Sequence, residues 1–128
     1  MMRQTLRGIV LAGSLGWLAM ASAEDLAPGK FSGTISFPKQ RASATLEIKS
    51  VDAGKVTGTL VVNVNAKNYP CSFGSHELVG TFADGKLKVR QPADSGGPKG
   101  CTASLQLTLQ DAHLAGTYEG DFPADFSR

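Results

Sequence analysis

The chain has 128 residues, 41% of them hydrophobic and 19% charged, with a formal net charge of +2 and two cysteines. That length fits a single domain with a modest core. An excess of only two cations excludes a broadly basic surface of the kind that holds nucleic acid.

The first predicted element is an address. Arg3 and Arg7 make a positive start, residues 8–20 form an apolar run, and Ala21-Ser22-Ala23 fits a small-x-small cleavage pattern. This reads as a secretory signal peptide over residues 1–23, since a membrane-spanning helix wants ~20 apolar residues. No cysteine stands at the cleavage position, so no lipid anchor is expected. The protein is expected to be periplasmic or secreted, with no stable membrane anchor after cleavage. The mature chain, residues 24–128, reads as one all-β domain. Of the 13 basic residues, Arg3 and Arg7 leave with the signal; eleven remain against 11 acidic ones, so the mature domain is near neutral.

Strands are predicted at 31–37, 43–51, 55–64, 76–83, 86–90, 101–110 and 113–119, from period-two alternation of apolar and polar residues. The clearest is Lys55-Val56-Thr57-Gly58-Thr59-Leu60-Val61-Val62-Asn63-Val64, with Val56, Gly58, Leu60, Val62 and Val64 on one face. Asp52-Ala53-Gly54, Asp84-Gly85 and Asp111-Ala112 read as hairpin turns. The tail, residues 120–128, carries Phe122, Pro123 and Phe126 and is a candidate eighth strand. No window of the mature chain has helical periodicity. The pattern predicts a small antiparallel meander barrel of seven to eight strands, or alternatively a two-sheet β-sandwich.

An apolar-x-Gly-Thr-apolar core recurs at Gly33-Thr34, Gly58-Thr59, Gly80-Thr81 and Gly116-Thr117. In each copy the glycine shares a face with bulky apolar residues. Inward glycines in strands mark bends or close approach. They are expected either to let the sheet coil around a small core or to open an internal cavity.

A meander places the three short turns at one end and the longer connections, 38–42, 65–75 and 91–100, at the other. Cys71 and Cys101 then fall at the same end. In an exported protein they are expected to form a disulfide that clamps two loops. Closing a loop of about 30 residues contributes roughly 3–4 kcal/mol in the chain-entropy account. This loop end is the candidate binding surface, with Lys39, Arg41, Lys67, Tyr69, His76, Arg90 and Lys99. Asp94 stands against this positive patch, and Asp121 and Asp125 from the tail are placed to fold back and cancel part of it.

Catalytic and metal constellations are not evident. His76 and His113 begin strands at opposite ends, ~15–20 Å apart, too far to share a metal. No G-x-S-x-G elbow accompanies Ser72, Ser75 and His76. Ala112-His113-Leu114-Ala115-Gly116-Thr117-Tyr118-Glu119 resembles a strand of the avidin/streptavidin family, which implies an eight-stranded barrel. That family lines its biotin pocket with tryptophans, whereas the single tryptophan here is Trp17, inside the signal. The expected function is a non-enzymatic binding module, with no cofactor, that meets a protein or an anionic ligand at the loop end. A small-molecule carrier with its ligand inside the barrel is the alternative. An enzyme using His76 as general base is a third reading.

Overall fold

The computed structural model describes residues 25–92 and 102–128. Within them the chain forms eight antiparallel strands and no helix: β1 (Gly29–Phe37), β2 (Gln40–Asp52), β3 (Lys55–Asn63), β4 (Gly74–Ala83), β5 (Lys86–Arg90), β6 (Ser104–Gln110), β7 (His113–Tyr118) and β8 (Phe122–Ser127). They pair in sequence order and close into a barrel through β1 and β8. The tail is therefore the eighth strand. An even number of up-and-down strands makes the closing pair antiparallel, with Ser32 to Ile35 set against Ser127 to Ala124. Residues 1–23, where the sequence leads us to expect a signal peptide, lie outside the described residues, as do Asp94, Lys99 and Cys101.

Alternation fills the interior. Phe31, Leu46, Leu60, Leu78, Leu87, Leu105, Leu114 and Phe126, one from each strand in order, are buried in a common core. The three hairpin turns at the turn end carry positive φ at both central positions: Ala53 and Gly54, Asp84 and Gly85, Asp111 and Ala112. Two such residues give a turn whose twist matches that of the flanking strands.

Three local expectations are corrected. The 38–42 segment is not a long connection: Phe37 and Gln40 face each other across a two-residue turn, Pro38-Lys39. Proline fixes a turn-compatible φ there, and buried Ala42 and Ala44 extend the inward alternation of β2 towards the turn. β4 starts earlier than predicted, at Gly74, and β6 later, at Ser104. In β2 the register slips between Ile48, opposite Gly58, and Ser50, opposite Thr57, leaving Lys49 as an extra residue. The bulge turns Ser50 outward, where its hydroxyl lies 2.6 Å from that of Thr57.

The repeated glycines mark close backbone approach. A Cβ at Gly33 would overlap the carbonyl oxygen of Asp125; at Gly58, that of Glu47; at Gly80, that of Lys88; at Gly116, that of Gln106. In every copy the carbonyl belongs to the residue opposite the threonine that follows. The four contacts fall on β8/β1, β2/β3, β4/β5 and β6/β7, which are alternate interfaces around the ring. The repeat thus makes four corners, three beside a hairpin turn and the fourth beside the chain ends.

At that fourth corner Arg128 stands where a turn would be. Its guanidinium donates to the Ala27 carbonyl at 2.9 Å. It also covers the Phe31 ring, 4.5 Å from the centroid. Arg128→Ala is expected to lower stability by about 1 kcal/mol in urea unfolding, while Arg128→Lys recovers less than half of that because it lacks the planar group.

Candidate functional site

The loop end is built on residues 64–73. The Asn65 carbonyl accepts from the amides of Asn68 at 3.2 Å and Tyr69 at 2.9 Å. The Asn65 side chain accepts from the Lys67 amide at 2.9 Å. The Tyr69 carbonyl then accepts from the Ser72 and Phe73 amides, both at 3.1 Å. Two successive turns and the Asn65 side chain therefore bond five of the loop's amides within the loop itself, which helps an irregular segment hold one shape.

Side chains pin this loop into the barrel mouth. Tyr69 lies on Phe37, with ring centroids 4.5 Å apart. Phe37 also meets Phe122 at 5.0 Å and Tyr118 edge-on at 6.0 Å. Ser72 is buried and held twice. Its carbonyl accepts from His76 Nε2 at 2.9 Å, which fixes the hydrogen on that nitrogen. Its hydroxyl accepts from the Tyr118 phenol at 3.2 Å. Burial pushes the Tyr118 phenol well above its ordinary range, so it stays a neutral donor.

The predicted surface residues divide accordingly. Lys39, Arg41, Lys67 and Arg90 are exposed at this end. Tyr69 is half-buried and His76 is buried, so both serve the loop's attachment. His76 spends Nε2 on a carbonyl, an arrangement that orients a loop and does not present a base to a substrate. Asp121, in the 119–121 turn, belongs to the loop end. Asp125 does not: it lies on β8 opposite Ala115, with its carboxylate 3.7 Å from His113 Nδ1 on the turn-end half. Among the described residues no group of three or more His, Cys, Asp or Glu is placed to hold a metal ion.

Two residues of this end were not singled out by sequence. Ser72 stands in the sequence as a loop serine without a nucleophile elbow, and its role in anchoring the loop has no local pattern. Phe73 is half exposed, at 50%. The signal for Phe73 was an aromatic residue off the strand alternation, next to Gly74, whose φ of 99° turns the chain into β4. Cys71 lies within the second of these turns. Compared with known proteins, the chain matches no family model, no curated protein and no solved structure.

Proposed function

We propose that the protein is a non-enzymatic binding module, exported under the direction of residues 1–23, that engages a protein or anionic partner with its loop end. The observation that carries this reading is Phe73. A large aromatic side chain stands half in water on a loop whose backbone is internally bonded and whose base is pinned by Tyr69, Ser72 and His76. Ordered aromatic anchors ringed by polar residues are where binding energy concentrates. Lys39, Arg41 and Lys67 supply a positive rim. Side chains from all eight strands meet in the barrel, which favours recognition on the outside over a ligand carried within.

The Cys71–Cys101 disulfide belongs to this proposal. It is supported by the chain having two cysteines, one within the loop-end turns and the other three positions before β6 in the sequence. A bridge from the 64–73 loop to the connection before β6 would hold two neighbouring loops in register.

The test is a pull-down from periplasmic or secreted extract with three baits: the oxidised wild-type domain, Phe73→Ala, and the combined charge reversal Lys39→Glu, Arg41→Glu and Lys67→Glu. A partner held by the wild type is expected to weaken by at least tenfold with Phe73→Ala, about 1.4 kcal/mol or more, at unchanged thermal stability. Equal recovery by all three baits would sink the loop-end assignment.

A further inference from the structure

A second surface is written into the four corners. The residue whose carbonyl meets each glycine points its own side chain outward, and these side chains differ. At two corners they are acidic, Asp125 and Glu47; at the other two they are Lys88 and Gln106. The two corners without an acid flank β5 and β6. Two depressions of about 370 and 290 Å³ lie here, the first lined in part by Gly80 and the second by Gly116, and Lys88 and Gln106 line both.

β5 lines both depressions. Lys86, Lys88 and Arg90 alternate outward along it and are exposed. Alternate residues of a strand are ~6.6–6.8 Å apart, so the three cations form a straight row ~13 Å long. Across the register, Lys86 faces Ala83 and Thr108, Lys88 faces Thr81 and Gln106, and Arg90 faces Val79 and Ser104. No directly opposed residue is acidic. No carboxylate lines either depression; Asp84, at the turn, lines a smaller neighbouring one with Lys86 and Lys88. Among the described residues none of the three cations is in an ion pair. In a chain of formal net charge +2, such a row is a concentration of positive charge and not a general property of the surface.

We propose that the outer face of β4 to β7 is a binding groove for a linear anionic polysaccharide, whose carboxylate, sulfate or phosphate groups lie along Lys86, Lys88 and Arg90. Hydroxyl and amide groups on both flanks (Thr81, Ser104, Gln106, Thr108, Thr117) suit a polyol between the charges. An acidic peptide fits less well. The barrel is closed, so it has no strand edge to extend, and the flanks offer mainly hydroxyl and amide side chains where peptide recognition needs apolar sockets. This site is distinct from the loop end, although Arg90 stands at the border between them.

The test uses the oxidised domain and a fluorescent heparin oligosaccharide, with polygalacturonate as the carboxylate-only arm, titrated at several salt concentrations. Saturable binding of either sugar is expected, weakened at least tenfold by the combined change Lys86→Gln, Lys88→Gln and Arg90→Gln. The salt dependence should fall in the same variant by a slope of about 2, as expected when some three charge contacts are lost. The matched loop-end variant Lys39→Gln, Arg41→Gln and Lys67→Gln should change affinity less than twofold. The inference is overturned if neither sugar binds, or if the loop-end variant accounts for the loss. It is equally overturned if poly-glutamate or single-stranded DNA of equal charge binds as tightly as the sugars. Failure here leaves the pull-down result on Phe73 untouched, and the reverse also holds.

Discussion

Gly33→Ala is expected to destabilise the domain by about 3 kcal/mol, or to leave it unable to close. Chemically the change adds one methyl group to a strand, which in open space would be harmless. At Gly33 the added carbon would overlap the Asp125 carbonyl oxygen and crowd Cα of Phe126. Both are backbone atoms of β8, so no rotamer change relieves the overlap. The strands must separate, and this is the seam where they pair through four residues each, fewer than the nine paired positions between β1 and β2. Phe126 and Phe31, buried on either side, would lose their close packing with it. The measurement is equilibrium urea unfolding followed by circular dichroism. Gly74→Ala is the control, because a Cβ there meets nothing within 4 Å and its φ of 99° exacts only local strain; about 1 kcal/mol is expected. If Gly33→Ala unfolds at the same urea concentration as the wild type, the corner account of the repeat is wrong.

The same corners show how much the sequence could carry. That Gly33, Gly58, Gly80 and Gly116 face inward follows from alternation, which the chain states openly. Which strand presses on each glycine does not follow, because it depends on pairing between residues as far apart as Gly33 and Asp125. The eighth strand was legible as a possibility in Phe122 and Phe126, whose spacing of four places both on one face. Its pairing with β1 is a long-range fact that no local pattern holds. Pro38 misled in the ordinary way: a residue that stops a strand also starts a tight turn, and the difference here lies in Ala42 and Ala44 being small enough to pack inward close to that turn. At the loop end, exposed Lys39, Arg41, Lys67 and Arg90 could be placed by topology alone. Tyr69 and His76 could not be told from surface residues, because their partners, Phe37 and the Ser72 carbonyl, are fixed only once the loop folds over the barrel mouth.

Phe37→Ala is the second large effect, and it joins the scaffold to the proposed function. Phe37 is buried at the end of β1, where it touches rings from three other parts of the chain: Tyr69 in the loop, Tyr118 in β7 and Phe122 in β8. Removing it deletes a fully packed aromatic side chain and three ring contacts, a loss of about 3–5 kcal/mol in a well-packed site. Part of that loss is local, since Tyr69 would then have no ring beneath it and the 64–73 loop would be held mainly at Ser72. Two readouts separate the parts. Urea unfolding should show the global loss. Amide hydrogen exchange under native conditions should show faster exchange at Ser72 and Phe73, whose bonds run to the Tyr69 carbonyl, beyond any acceleration at Leu60 or Leu105 in the core. Because Phe73 rides on that loop, the variant should also lose partner recovery in the pull-down while keeping its own aromatic anchor. A Phe37→Leu change, which refills most of the volume without the ring stack, should restore much of the stability and less of the binding. Equal restoration of both would mean that the loop is positioned by the bulk of Phe37 alone, and that its stacking on Tyr69 plays no part in presenting Phe73.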